Sequence, residues 1–129
     1  MLPSRILDST RAVILSEGIY DLDSLLQSSP KYREWFIEPT FGSDSYSKFS
    51  ILNSRLRRSA GFSWLLIHSM GDSLVDALQT TEMHNHLKNL QAGVTISLYD
   101  LVDEHDAILE TEKYINLVKN FVTPKRSGI

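Results

Sequence analysis

The chain has no cysteine, which excludes disulfides, thiolate-bound zinc or iron–sulfur centres and a thiol nucleophile. Its 129 residues hold only 6 glycines and 4 prolines, so collagen-like and linker-type sequence is excluded as well. Apolar runs stop at four residues, at 12–15 and 64–67, far short of a transmembrane helix. Residues 1–18 lack the unbroken apolar stretch of a signal peptide, and the expectation is a cytoplasmic protein with no membrane contact. Neither a G-x-S-x-G elbow, a phosphate-cradling glycine loop, a G-x-G-x-x-G turn nor an H-E-x-x-H pair is present.

What is present is an ordinary globular mixture, 42% hydrophobic and 22% charged, with a formal charge of −3. This composition predicts one domain over 1–122, followed by a short polar tail over 123–129. Glycines at 18, 61, 71 and 93 fall where apolar-periodic stretches stop, as helix-ending residues do. Ile6, Leu7, Val13 and Ile14 fit one side of a helix over 4–17. Asp21 reads as an N-cap ahead of Leu22, Leu25 and Leu26, and Ser29-Pro30 as a second helix start before Tyr32, Trp35 and Phe36. Residues 37–45 read as a loop, with Phe41 held to the core, and 46–59 as a further helix.

Residues 62–70 fit either a buried helix or a strand, and helical neighbours favour the helix. Asp72 reads as the cap of a helix reaching about Gln91. Ser97, with Asp100 three residues on, reads as the cap of a helical seam through Leu101, Ile108, Val118 and Phe121. The predicted fold class is all-α, a compact single-domain bundle of five to seven helices. The alternative is α+β, with short strands near 62–70 and 93–97.

Charge is distributed unevenly. Lys48, Arg55, Arg57 and Arg58 make 46–60 basic with no acid, whereas 97–112 holds Asp100, Asp103, Glu104, Asp106, Glu110 and Glu112 with no base. The arginines near a helix end suit the helix dipole, and the pair Arg55/Arg58 shares one face. As a functional pattern, Lys48, Arg55, Arg57, Arg58, Asp100, Asp103 and Glu104 are the candidate partner-binding residues.

The leading functional expectation is therefore a non-enzymatic interaction or regulatory module that presents helical surfaces. Its expected partner is another protein, including a second copy in a homodimer, and no cofactor, metal or catalytic residue is assigned. One alternative is a nucleic-acid-associated protein using the basic segment 48–58, which the acidic balance disfavours. The other is an enzyme or metal protein around His84, His86 and His105. Glu82 and His86 stand one helical turn apart, but His84 and His86 point in opposed directions on a helix.

Overall fold

A computed structural model of the chain describes residues 4–43, 45–53 and 63–123. Three short strands, β1 (Ala12–Ser16), β2 (Ser63–Ile67) and β3 (Gly93–Ser97), form a parallel sheet in the order β1-β2-β3. Ala12 stands opposite Ser63 and Ser63 opposite Gly93, and the registers run in step to Ser16, Ile67 and Ser97. Between β1 and β2 come α2 (Leu22–Ser28), a wide-turned helical segment (Arg33–Ile37) and α3 (Glu38–Phe41). Helix α4 (Ala77–Asn89) crosses from β2 to β3, while α1 (Ser4–Ser9) and α5 (Glu112–Val122) flank the sheet in sequence.

The all-α expectation is corrected: the architecture is α/β. Strands do form at 63–67 and 93–97, where the alternative put them, but they run parallel, and β1 stands where a helix was expected. The cause is burial on both faces. A central parallel strand needs apolar side chains on either side and so loses the alternation that marks a strand in sequence. In β2, Trp64 and Leu66 face Met83 and Leu87 of α4, while Leu65 and Ile67 face Leu101, Ile108 and α5. In β1 all of Ala12–Ser16 is half-buried, so its apolar run also fitted a helical template.

Other expectations change with the sheet. The seam after Ser97 is not a single helix. Ser97 ends β3, residues 98–106 form loop and turns, a short tight helical turn spans Ala107–Glu110, and α5 begins at Glu112. Ser97 donates its hydroxyl to the Asp100 carboxylate within a turn, which is a side-chain bond and not the helix cap expected there. Leu101 and Ile108 are fully buried under the sheet. Within 46–59, tight helical turns occur at Ser47–Phe49 and Ile51–Asn53, and 54–59 lies outside the described residues. Asp21 does cap α2, accepting from the N–H groups of Asp23 and Ser24. Leu22, Leu25 and Leu26 pack with Tyr32, Ile37 and Tyr46 in a second core. Among the described residues no helix is long and apolar enough to cross a membrane.

Candidate functional site

The carboxyl ends of all three strands open on one region, which is where parallel α/β sheets place their sites. Beyond β1 stands Glu17, beyond β2 come His68 and Ser69, and the loop after β3 carries Asp103, Glu104 and His105.

The central contact joins two of these loops. His105 Nδ1 lies 2.8 Å from Asp72 Oδ2. Asp72 is wholly buried at its side chain and committed on both oxygens: Oδ1 accepts from the N–H groups of Leu74 (2.9 Å) and Val75 (3.0 Å). Asp72 therefore closes a turn rather than capping the helix expected from it, which begins at Ala77 with Asp76 as its cap. The partner of Asp72 at Oδ2 lies 33 residues away. Because a carboxylate only accepts, Nδ1 carries the proton, and neutral His105 presents a lone pair on Nε2. That nitrogen faces the open side, 3.6 Å from the exposed Asp106 carboxylate.

Several devices hold the two loops together. Ser73 donates to Glu104 Oε2 through its hydroxyl (2.7 Å) and its N–H (3.1 Å). The Ser69 hydroxyl donates to the Asp103 carbonyl at 2.5 Å. At Gly71 a Cβ would meet the Val102 carbonyl oxygen at 1.9 Å, so only glycine permits this approach. Buried His68 stands behind Asp72, its Nε2 at 2.8 Å from the Val75 carbonyl and its Nδ1 at 2.7 Å from the Thr80 hydroxyl. A carbonyl cannot donate, so His68 carries its proton on Nε2 and accepts from Thr80.

Glu17 completes the cluster from β1. It is 5% exposed, adopts φ of +52°, and accepts from the N–H of Asp106 at 3.1 Å and of Ser69 at 3.4 Å. Its Oε2 lies 3.4 Å from His105 Nδ1. Asp106 likewise adopts a left-handed φ of +65°, so the two residues flanking the imidazole both hold conformations that side chains disfavour.

Burial pushes the Glu17 carboxyl above its ordinary value. The Asp106 N–H opposes that shift, and the neighbouring Asp72 charge adds to it. Desolvation acts to lower His105, but the Asp72 hydrogen bond and the charges of Asp72, Asp106 and Glu17 outweigh it and hold the imidazole above 6.5.

Glu17, Asp72 and His105 are also the described donors close enough together to hold a metal ion. The 2.8 Å between Nδ1 and Asp72 is nevertheless a hydrogen-bond distance. Two such ligands on a tetrahedral ion would stand roughly 3.4 Å apart.

Beside the imidazole lies an apolar hollow of about 190 Å³, lined by Ile19, Tyr32, Trp35, Phe36, Leu74, Val75 and His105. Trp35 is 70% exposed at its rim. Gln79 fixes the Ile19 wall from α4. Its Oε1 accepts from the N–H groups of Tyr20 (2.8 Å) and Asp21 (3.0 Å), and its Nε2 donates to the Asp21 carbonyl (2.9 Å).

Of the residues singled out in sequence, Glu104 and His105 belong to this region, and Asp103 takes part through its backbone. Asp100 bonds Ser97, and Lys48 lies with its ammonium 5.0 Å from the centre of the Phe49 ring. Arg55, Arg57 and Arg58 lie outside the described residues. His84 and His86 sit on α4 and do not join the cluster. At His84, burial and the Lys88 charge lower the imidazole. Sequence reasoning missed Glu17 and Asp72 as site residues. The available signal was a polar residue within two positions of the end of each short apolar run, at Glu17, His68 and Ser97, which marks a site only once those runs are recognised as parallel strands.

No family model and no curated protein matches the chain. Solved structures do. An acylaminoacyl peptidase of Pyrococcus horikoshii in an orthorhombic crystal form is 23% identical with a TM-score of 0.66, over 86% of this chain and 19% of that one. An acylaminoacyl peptidase in complex with Z-Gly-Gly-Phe-chloromethyl ketone is 20% identical with a TM-score of 0.65, over 92% and 21%. The uncomplexed Pyrococcus horikoshii enzyme gives 18% and 0.58, also over 92% and 21%. The chain spans about a fifth of the length of these proteins. The non-enzymatic helical module expected from sequence is corrected accordingly, since its basis was an all-helical surface and an absence of chemistry. The chain instead has an α/β fold similar to part of these peptidases and sets a hydrogen-bonded Asp–His pair at the carboxyl end of its sheet.

Proposed function

We propose that this chain carries the acid–base half of a hydrolase acting on ester or amide bonds, with His105 as general base and Asp72 as the carboxylate that orients it. The observation that carries the reading is the 2.8 Å contact between Asp72 Oδ2 and His105 Nδ1, which leaves Nε2 directed outward. In such a reaction Nε2 takes the proton of a hydroxyl nucleophile as its oxygen attacks the substrate carbonyl. The imidazolium is held by the buried carboxylate and then returns the proton to the leaving group. Among the described residues none holds a hydroxyl against Nε2, so the nucleophile is supplied from outside them. The fold likeness to acylaminoacyl peptidases supports this assignment.

The hollow beside His105 indicates the substrate class. Its lining is nearly all apolar, and about 190 Å³ accommodates one aromatic or branched aliphatic group. The favoured substrate therefore carries such a group next to the bond that is cleaved.

The test is the reactivity of His105 toward a chloromethyl ketone bearing a phenylalanyl group, followed by peptide mass spectrometry. Alkylation is expected at His105 well ahead of His84, at a rate reduced at least tenfold by Leu74→Trp, which fills the hollow. Labelling of His105 no faster than His84, or unaffected by Leu74→Trp, would overturn the reading.

A further inference from the structure

Asp72 alone would suffice to orient His105, yet a second carboxylate is buried against the same nitrogen. Glu17 Oε2 is 3.4 Å from Nδ1, and Asp72 Oδ2 is 2.8 Å from it. The other bonds of Glu17 are two backbone N–H groups, from Ser69 and Asp106. The Ser69 N–H takes Oε1 and the Asp106 N–H takes Oε2, and Oε2 is also the oxygen beside the imidazole. A buried carboxylate is stabilised where a positive charge forms close by, and the forming charge here is the imidazolium of His105. The sheet aims Glu17 there. It follows the last residue of β1, its N–H donates to the Ile67 carbonyl of β2 at 2.9 Å, and its left-handed φ turns the chain out of the strand.

We infer that Glu17 is a positioning residue, a second acceptor for the Nδ1 proton of His105 that keeps the imidazole in its reactive tautomer and shares the imidazolium charge with Asp72. This rests on the reading of Asp72 and His105 given above. The charged groups that face His105 are Asp72 from the loop after β2, Glu17 from the end of β1 and the adjoining Asp106. His68 lies behind Asp72, 3.3 Å from its Oδ2, and Glu104 is turned to Ser73.

The experiment is a pH titration of the nitrogen-15-labelled 129-residue chain by long-range proton–nitrogen correlation, which reads both the midpoint and the tautomer of His105. Glu17→Gln removes the charge and leaves an acceptor oxygen for only one of the two backbone N–H groups, so a merely structural role predicts a lower melting temperature with the His105 midpoint unchanged. The inference predicts a midpoint lowered by about one pH unit. In Asp72→Asn, neutral His105 is expected to keep its proton on Nδ1, because Glu17 still accepts it. In the double variant the proton moves to Nε2. An unchanged midpoint in Glu17→Gln would overturn the inference. So would migration of the proton to Nε2 in Asp72→Asn, a result that remains readable even if Glu17→Gln fails to fold. If Asp72→Asn leaves the His105 midpoint where it was, the reading of Asp72 and His105 fails first. If that variant moves the midpoint and Glu17→Gln does not, only the role of Glu17 is lost.

Discussion

Ser73 donates twice to Glu104, while the adjoining residues Asp72 and His105 form their own bond, so neighbouring positions on two loops are tied side by side. The Ser73 hydroxyl and N–H hold the Glu104 carboxyl below its ordinary 4.5. A carboxyl lowered by folding contributes stability above that value and loses it as pH falls through the folded-state titration. The Glu104 side is solvent-exposed and screened, so the effect is small. Ser73→Ala should lower the melting temperature by roughly one or two degrees at pH 7. The gap to the unaltered protein should close below pH 4.5. Parallel melting curves over the whole range would show that this clip is not electrostatic.

Gly71→Ala tests the close approach between the same loops. The added carbon would sit 1.9 Å from the Val102 carbonyl oxygen and 2.7 Å from its carbon, both backbone atoms that cannot swing aside. A loss of about 2–4 kcal/mol is expected by chemical denaturation, as for other overpacked sites. A loss below about 1 kcal/mol would mean that the loops separate easily, and with them Asp72 and His105.

Gln79→Leu removes three hydrogen bonds, one buried and two partly buried, at nearly constant volume. It strands the N–H groups of Tyr20 and Asp21 and the Asp21 carbonyl. A cost of about 2–3 kcal/mol is expected from the unpaired groups. The wall at Ile19 should loosen with it, so alkylation of His105 by the phenylalanyl reagent should slow. A stability loss with unchanged alkylation would separate the structural role of Gln79 from the shape of the hollow.

The pH dependence of His105 has opposite signs in stability and in reactivity. Folding raises its titration above 6.5, so its charge contributes stability below that value, and this is lost as pH rises through the folded midpoint. Nucleophilic attack by Nε2 needs the neutral ring. The alkylation rate should therefore climb with pH, with a midpoint above 6.5, while the melting-temperature advantage over His105→Gln shrinks across the same interval. A reactivity midpoint below 6.5 would contradict the arrangement of carboxylates around the ring.

Local chemistry was legible in the sequence wherever donor and acceptor lie within a few residues. Asp21 caps α2 as its position suggests; Ser97 and Asp72 do bond within three residues, but in turns and not as the helix caps expected of them. The strands were not legible as such. Residues 12–15 and 64–67 are continuous apolar runs because helices and loops cover both faces of the sheet, and a continuous run satisfies helical spacing too. His105 stood out only for its acidic neighbours Asp103 and Glu104. Neither supplies its carboxylate partner at Nδ1, which comes from Asp72 and Glu17.

By itself the sequence determined the Asp21 cap and the apolar segments that had to be buried, since these follow from short-range hydrogen bonding and hydropathy. Tertiary structure alone decided that three of those segments pair in parallel. Residues 17, 72 and 105 become neighbours only when β1 and β2 end level in register and the loop after β3 folds back across them. Pairing of this kind depends on backbone hydrogen bonds between distant segments, which carry no residue-specific mark, and on burial from both sides, which erases the strand's periodicity.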